Sequence, residues 1–380
     1  MKLFLVFLFI IPLLFSACTS PRLGDYLADM FVGNGVILEE DDFLEPVEDP
    51  YLAYAKILSL IPYSYQSDER ITEKTAEQIS EQFLVVKDTL LLDGLYGKID
   101  MHEHYRVGGD IDTFLEAAGC FGISKVVFVP TASGPDNAGY EKHWNSLIKK
   151  AKESYPDQVI PFCTIDEADP QAAELVEQYI LEGAMGLKLI GGHPEFYDEP
   201  LNSENMYKVY QVVDEYDIPV LLHGSIINIP ELKDQLDQVY GDFPDVTFIH
   251  AHYCSTIMSG IDLDQCAELL DKHPNLYIDL SMGGGIARYH KYLKQDLQKI
   301  KDFVVAYQDR ILFGSDIILR SKRNDFDWLY ERIRCDIDLH QKVEYTCEFG
   351  ESDWVHQGFD LDEEVLRKLY YENPKKVLGF

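Results

Sequence analysis

From Lys98 onward, short apolar runs alternate with longer amphipathic runs along the chain. This alternation of strand-type and helix-type segments indicates a parallel sheet whose strands are joined by crossover helices. The predicted strands are Lys98–His104, Lys125–Pro130, Val159–Thr164, Ala184–Ile190, Ile218–His223, Thr247–His252, Leu276–Leu280 and Ile311–Gly314. Eight strands favour an α/β fold of the closed (β/α)8 TIM-barrel type over the alternative, a doubly wound open sheet.

The same pattern predicts the helices between the strands and places the domain boundaries. The predicted helices are Ile111–Phe121, His143–Ser154, Gln171–Leu181, Glu204–Tyr216, Glu231–Tyr240, Asp262–Lys272 and Tyr289–Tyr307, followed by two closing helices at Asp325–Leu339 and Glu363–Leu378. The barrel domain is expected to occupy residues 96–380. Residues 19–95 combine an acidic, proline-broken run with helix-like spacing, which predicts an N-terminal helical extension.

The first 18 residues have the pattern of an export signal. Lys2 precedes an apolar stretch from Leu3 to Leu14 that is too short for a comfortable membrane span. The segment Phe15-Ser-Ala-Cys18 then resembles the end of a bacterial lipoprotein signal, with Cys18 as the lipidated first residue of the mature chain. We therefore expect an exported protein held at the cell-envelope membrane through Cys18. A plain secretory signal and an uncleaved anchor are the alternatives.

The net charge of the chain limits the kinds of partner that it can bind. The formal net charge of −33 argues against a nucleic-acid partner, because binding phosphate requires clustered Lys and Arg. We expect a small-molecule substrate and leave the number of identical chains in an assembly open.

Among the other cysteines, Cys335 and Cys347 form the pair to test for a disulfide. Cys120, Cys163 and Cys254 lie in apolar segments and are interpreted as buried small hydrophobes.

The candidate chemistry lies where the predicted strands end, which is where TIM barrels carry their active sites. Five of the eight strands end in or near a ligand or an acid–base residue. These residues are His102 and His104, Lys188, His223, His252 and Asp316. Positions i and i+2 of a strand share a face, so His102 and His104 are expected to point the same way. Three histidines and a carboxylate can hold one divalent ion and leave a position for water.

A metal site of this kind indicates a hydrolytic reaction. A bound metal lowers the pKa of its water to about 7 and polarises a substrate carbonyl. Asp316 is the expected general base, and His252 is expected to stabilise the developing negative charge or to align the water. His250 is interpreted as a hydrogen-bonded residue of the barrel interior. His193 is interpreted as an exposed loop residue, with substrate contact as the alternative.

These residues and their flanking segments resemble the amidohydrolase superfamily of metal-dependent hydrolases, in particular the branch that contains aminocarboxymuconate-semialdehyde decarboxylase. The similar segments are His102-x-His104, Asp245–His252, Asn275–Ser281, Arg310–Asp316 and Glu372–Gly379. The resemblance covers about residues 95–380. It implies His102, His104, His223 and Asp316 as ligands of one metal, with Zn or another divalent metal expected. It implies His252 as the acid–base residue or as a residue that supports the ligands.

The chain departs from that branch at two places beside the expected pocket. Tyr253-Cys-Ser255 stands where the branch usually has a glycine pair, and Ile317-Ile-Leu319 stands where a proline is common. In binuclear relatives a carboxylated lysine at the position of Lys188 bridges two metals, whereas in the mononuclear branch a lysine here is not a ligand. One ion is expected, with two as the alternative. If Lys188 is not a metal bridge, it is expected to contact a substrate carboxylate or a neighbouring acid.

The expected function is therefore a metal-dependent hydrolase that activates a metal-bound water to cleave an amide, ester or lactone bond of a small molecule. A non-oxidative decarboxylase on the same scaffold is the first alternative. A catalytically idle surface binding protein is the second.

Overall fold

The computed structural model describes residues 97–130, 140–193, 197–255, 263–282, 286–319, 324–347 and 355–380. The predicted signal at 1–18 with Cys18, and the extension at 19–95, lie outside these residues. The chain divides into two compact units, one of residues 1–97 and 115–124 and the other of residues 98–114 and 125–380. All the site residues discussed below belong to the second unit.

A parallel barrel is the central element. Its strands are β1 Lys98–Tyr105, β2 Ile123–Val129, β3 Val159–Pro161, β4 Cys163–Thr164, β5 Leu187–Gly192, β6 Val220–Gly224, β7 Phe248–His250, β8 Leu276–Asp279, β9 Ile311–Leu312 and β10 Ile318–Leu319. One sheet runs β10-β1-β2-β3 and the other runs β4-β5-β6-β7-β8-β9. Because β3 and β4 are two halves of the third barrel strand, the two sheets join there.

The barrel also closes between its eighth and first strands. The Met101 N–H donates to the carbonyl of Phe313, just after β9, at 2.9 Å. Three residues further along β1, His104 pairs with Ile318 of β10. The eight predicted strands and the (β/α)8 fold are therefore confirmed.

Helices alternate with the strands, as the sequence pattern predicts. They are α1 Ile111–Gly119, α2 Tyr140–Ser154, α3 Ala172–Leu181, α4 Glu204–Glu215, α5 Leu232–Asp242, α6 Asp264–Lys272, α7 Ile286–Ala306, α8 Phe326–Gln341, α9 Glu363–Arg367 and α10 Asn373–Leu378, with a π-helical turn at Lys368–Glu372. Polar caps set some of the boundaries. Ser203 accepts from the Met206 N–H at the start of α4, and Asp325 accepts from the Trp328 N–H at the start of α8.

An apolar cluster lies directly beneath the polar strand ends. Its buried members include Leu221 on β6 and Tyr277 on β8. Two residues later on the same strands, and so on the same face, come His223 and Asp279. Each strand therefore contributes an apolar side chain to the core and then a polar one to the rim. This sequence of side chains gathers the polar residues at one end of the barrel.

Three local features differ from the predictions. The fourth strand lies two to three residues later than predicted, at Leu187–Gly192. The sixth ends at His250, and His252 lies in a turn after it instead of closing the strand. An antiparallel hairpin of β11 Glu344–Thr346 and β12 Val355–Gln357, which the strand–helix alternation does not predict, follows α8.

The cysteines follow the prediction in part. Cys335 and Cys347 form the predicted disulfide, and Cys254 forms a second one with Cys266. The interpretation of Cys254 as a plain buried hydrophobe was therefore wrong, because its partner approaches from α6. Cys163 is buried as expected, whereas Cys120 is partly exposed. In the part of the chain that the structure describes, every helix is too short or too polar to cross a bilayer.

Candidate active site

Five imidazole rings follow one another across the rim of the barrel. Successive ring centroids are 5.1 Å apart from His104 to His102, 5.1 Å from His102 to His252, 5.0 Å from His252 to His223 and 4.9 Å from His223 to His193. They come from the ends of β1, β7, β6 and β5. Residues up to 150 positions apart in the sequence therefore meet because the carboxyl ends of parallel strands share one rim.

Asp316 joins two parts of this row. Its Oδ1 lies 3.1 Å from Nε2 of His104 and 3.7 Å from Nε2 of His102. Its Oδ2 lies 3.9 Å from Nε2 of His252. Ligand atoms of His102, His104 and Asp316 all lie within 4.8 Å of one another, which is close enough to hold one metal ion. The carboxylate therefore faces a candidate metal position with one oxygen and His252 with the other.

Hydrogen bonds to buried residues hold the backbone around Asp316. Asp316 has a φ of +51°, and its N–H donates to the carbonyl of His102 at 2.7 Å. The preceding residue, Ser315, donates its hydroxyl to Asp100 at 2.6 Å. The carbonyl of Ser315 accepts from the guanidinium of Arg332 at 3.2 Å. These buried contacts fix the left-handed backbone at Asp316, a conformation that a non-glycine residue rarely adopts without support.

Asp279, at the end of β8, orients the site although the sequence analysis gave it no role. Its Oδ2 accepts from Nδ1 of His102 at 2.8 Å, and its Oδ1 accepts from the His252 N–H at 3.0 Å. Because Nδ1 of His102 carries the proton, Nε2 keeps its lone pair and faces Asp316. A carboxylate behind a ligand histidine is the usual way to fix the tautomer of a metal ligand. The strand-end rule that found the histidines applies to Asp279 as well.

Ser281 fixes the ring of His252 in the same way. The carbonyl of Ser281 accepts from Nδ1 of His252 at 2.8 Å. The hydroxyl of Ser281 donates to Asp279, so the two residues that orient the rings of His102 and His252 are linked to each other. The result is that Nε2 of His252 is the nitrogen that faces Asp316 and the open rim.

Burial and charge set the protonation states. Burial lowers the pKa of His102 to about 4 and the pKa of His223 well below its usual value. Burial acts to raise the pKa of Asp316, but the neighbouring imidazoles outweigh it and hold that pKa well below its usual range. At neutral pH His102 and His223 are therefore neutral and Asp316 is an ionised carboxylate. These are the forms that bind a metal ion.

Lys188 lies inside the row. Its Nζ is 3.2 Å from Nε2 of His102, the nitrogen that faces Asp316, and the residue is almost fully buried. Burial lowers the pKa of Lys188 to about 8. An ammonium group and a metal ion cannot use the same imidazole lone pair, so Lys188 must turn away or lose its proton when that nitrogen binds a metal.

The loop after β5 brings His193 to the site. The side chain of the buried Glu167 accepts the N–H groups of Ile190 at 2.9 Å and Gly191 at 2.7 Å. At Gly192 a Cβ atom would lie only 2.3 Å from the carbonyl oxygen of His223, so only glycine allows this approach. His193 is half-buried beside His223, and this location favours the substrate-contact alternative over an exposed loop residue.

His223 is near this centre but stands apart from the closest donors. Its ring lies 5.0 Å from that of His252. It belongs to neither of the two sets of mutually close donors among the described residues, which are His102, His104, Asp316 and His102, His252, Asp279. The structure thus brings three of the four predicted ligands, His102, His104 and Asp316, within reach of one ion. The fourth, His223, lies beyond His252 in the row of rings.

His250 is hydrogen-bonded, as the sequence analysis expected, but it does not face the barrel interior. Its Nε2 donates to the carbonyl of Gly224 at 2.7 Å, and its Nδ1 accepts from the hydroxyl of Tyr240 at 3.2 Å. Tyr240 belongs to α5, so the ring of His250 points to the helix layer. The strand ends at His250, and the turn that follows breaks the two-residue alternation with His252.

The fold and this donor set define an α/β-barrel protein with a metal-competent centre at its carboxyl rim. The sequence model of the family described as Amidohydrolase matches residues 99–380. The chain therefore belongs to the amidohydrolase family. No curated protein matches the sequence.

Solved structures are similar to this chain at low sequence identity. A probable 2-pyrone-4,6-dicarboxylic acid hydrolase from Acinetobacter baumannii, with citric acid bound, is 14% identical with a TM-score of 0.50 and covers 75% of this chain and 100% of its own. An uncharacterised TIM-barrel protein from Bordetella bronchiseptica is 18% identical with a TM-score of 0.50 and covers 74% and 98%. A 5-carboxyvanillate decarboxylase from Novosphingobium aromaticivorans, complexed with manganese, is 14% identical with a TM-score of 0.47 and covers 75% and 96%.

Proposed function

We propose that this protein is a metal-dependent hydrolase that cleaves an amide, ester or lactone bond of a small molecule. The observation that carries the proposal is the placement of Asp316, with one oxygen toward His102 and His104 and the other toward His252. A carboxylate between metal-type donors and a free imidazole nitrogen is placed to receive a proton from water and pass it on. Membership of the amidohydrolase family supports the same reaction class.

The donor set fits a divalent ion. His102 is fixed by Asp279 with its Nε2 lone pair open, and Asp316 is ionised. In addition, Nδ1 of His104 is buried and has no hydrogen-bond partner among the described residues. We propose His102, His104 and Asp316 as ligands, with His223 completing the set after a small movement. Nitrogen and carboxylate donors suit Zn, and a divalent ion bound there would act as a Lewis acid and lower the pKa of a water molecule.

The remaining residues would divide the proton transfers. Asp316 takes the proton of the attacking water through Oδ2 and returns it to the leaving nitrogen or oxygen. His252, with Nδ1 held by Ser281, would share the same proton through the lone pair of Nε2 and, once protonated there, would donate to the carbonyl oxygen on which negative charge develops. His193 lies at the far end of the row of rings, where it would contact the far end of the substrate. Lys188 lies beside His102, where it would contact a substrate group close to the metal.

The test separates hydrolysis from decarboxylation. The zinc-loaded protein is incubated in ¹⁸O-labelled water with a panel of amides, esters and lactones and a panel of aromatic and enol carboxylic acids. Hydrolysis predicts one solvent oxygen in the acid product and at least a hundredfold loss of turnover in His252→Asn. Release of carbon dioxide without labelled product would support the decarboxylase instead. No turnover of either panel would leave the surface binding protein as the better account.

We also propose that the mature protein is exported and anchored through a lipid on Cys18. The apolar stretch from Leu3 to Leu14 and the following Ser-Ala-Cys18 segment support this location. The disulfides Cys254–Cys266 and Cys335–Cys347 support it independently, because such bonds persist in oxidising compartments. The substrate would then be a small molecule that is met outside the cytoplasm.

A further inference from the structure

Four consecutive residues after β7 have left-handed backbone. The φ angles are +58° at His252, +54° at Tyr253, +56° at Cys254 and +55° at Ser255. Side chains of L-amino acids disfavour this region, and glycine is the residue that enters it freely. None of the four is glycine. Something other than intrinsic preference must therefore hold the turn that carries His252.

Contacts at both ends of the turn supply that support. At its start, the His252 N–H donates to Asp279 at 3.0 Å. At its end, the Ser255 N–H donates to the carbonyls of Ala251 and His252 at 3.1 Å and 2.8 Å. These hydrogen bonds act at the two ends of the turn. The covalent contact is the disulfide from Cys254 to Cys266 on α6.

The disulfide lies close to the reacting groups. Cys254 is two residues from His252, whose Nε2 lies 3.9 Å from Asp316. Cys254 and Cys266 are fully buried, so both ends of the bond are set in packed protein. A fixed point on α6 therefore holds the left-handed turn directly behind the proposed acid–base histidine.

We propose that the Cys254–Cys266 disulfide is the device that positions His252, which makes Cys266 a positioning residue for the reaction. The bond holds the turn in the left-handed conformation and so keeps Nε2 of His252 aimed at Asp316. This inference rests on the proposed role of His252. The proposed metal ligands His102 and His104 lie on β1 and Asp316 follows β9, so none of the three belongs to the turn or to α6.

The experiment compares two variants that lack this disulfide and differ only in the residue at the turn. Cys254→Ala/Cys266→Ala puts an L side chain at a positive φ, and Cys254→Gly/Cys266→Ala puts glycine there. The alanine variant is expected to lose about 10-fold to 100-fold in kcat with KM and zinc content unchanged, because His252 is misplaced. The glycine variant is expected to keep kcat within about threefold of the parent protein, because glycine adopts the turn without the bond.

The second disulfide provides a matched control. Cys335–Cys347 spans the same 12 residues as Cys254–Cys266 and joins α8 to the end of β11. Cys335→Ala/Cys347→Ala should lower the midpoint of urea unfolding by a similar amount, because loops of equal length are opened. It should leave kcat unchanged. Equal kcat losses in the two alanine variants would reduce the Cys254–Cys266 bond to a general stabiliser and overturn the proposal.

Amide hydrogen exchange at residues 252–255 gives a readout that does not require activity. The alanine variant at 254 and 266 should exchange faster there than the parent protein, and the glycine variant should exchange at the parent rate. Equal exchange in the alanine and glycine variants would contradict the positioning role. If exchange follows the expected pattern while no substrate is turned over, the positioning of the turn stands and the hydrolase proposal fails.

Discussion

Asp279 is the residue on which the geometry of the site depends most, because it holds both His102 and the backbone of His252. The sequence pattern predicted the histidines at the strand ends but not this carboxylate, whose oxygens face protein groups. A strand-end pattern identifies polar residues at the rim. It does not distinguish one that faces a ligand from one that orients its neighbours.

Asp279→Asn preserves the shape of this contact and removes its charge, so the tautomer of His102 is no longer fixed. We expect zinc affinity to fall about 10-fold to 100-fold, measured by competition with a chelating dye. Asp237→Asn is the control, because Asp237 pairs with Lys272 and His273, away from the row of rings. Equal zinc affinities in Asp279→Asn and the parent protein would show that Asp279 does not orient a ligand.

Lys188 decides between one metal and two. Its Nζ lies 3.2 Å from Nε2 of His102 and competes for the lone pair that a metal would use. With one ion, Lys188→Met should keep one zinc per chain and bind it more tightly, because the competing group is gone. Zinc titration with elemental analysis measures both quantities. A drop from two ions to one or none would instead assign Lys188 as a bridging ligand.

At the scale of elements, the strands were predictable because apolar runs separated by amphipathic helices have one common solution, a parallel barrel. The left-handed turn at His252–Ser255 was not predictable, because none of its residues has an intrinsic preference for positive φ. The hairpin of β11 and β12 was also missed, since each strand is three residues long and half exposed. Short elements carry too few positions for a periodic pattern.

His340, near the end of α8, makes the free energy of unfolding depend on pH. Burial beside Phe313, Phe359 and Tyr370 lowers the pKa of His340 from 6.5 to about 3. Between these values the unfolded chain binds a proton that the folded chain does not, so the free energy of unfolding falls as pH drops below 6.5. This single histidine accounts for a loss of about 2 kcal/mol between pH 7 and pH 5.

His340→Phe should therefore reduce the difference in unfolding free energy between pH 7 and pH 5 by about 2 kcal/mol, measured by urea titration at both values. Tyr370→Phe removes the hydroxyl that lies 3.3 Å from Nδ1 of His340 but keeps the imidazole, so it should retain the slope of the parent protein. A parent-like slope in His340→Phe would mean that other groups produce the pH dependence.

At the scale of the whole molecule, the barrel over residues 99–380 was predictable from pattern and resemblance together, and the substrate was not. The strand ends are constrained by the chemistry they perform. The loops that select a substrate, such as the one that carries His193, follow no periodic pattern. The position of His193 depends on Glu167 and Gly192, two residues whose contacts only the folded chain shows.

The proposed lipid anchor at Cys18 would hold the whole protein at the membrane. Cys18→Ser should remove the lipid attachment site and release the protein from the membrane fraction into the soluble fraction of the envelope. Fractionation followed by immunodetection measures the change, with Cys120→Ser as the matched control that leaves residues 1–18 intact. Continued membrane association of Cys18→Ser would remove the lipoprotein proposal and favour an uncleaved anchor.

We propose that His102, His104 and Asp316 hold a catalytic divalent ion. Elemental analysis of the purified protein beside His102→Ala and Asp316→Ala tests this proposal, each with a circular dichroism spectrum to show that it is folded. We expect about one transition-metal ion per parent chain and less than about a tenth of that in each folded variant. Equal metal content in all three proteins, or none in any of them with turnover unaffected by a chelator, would contradict it.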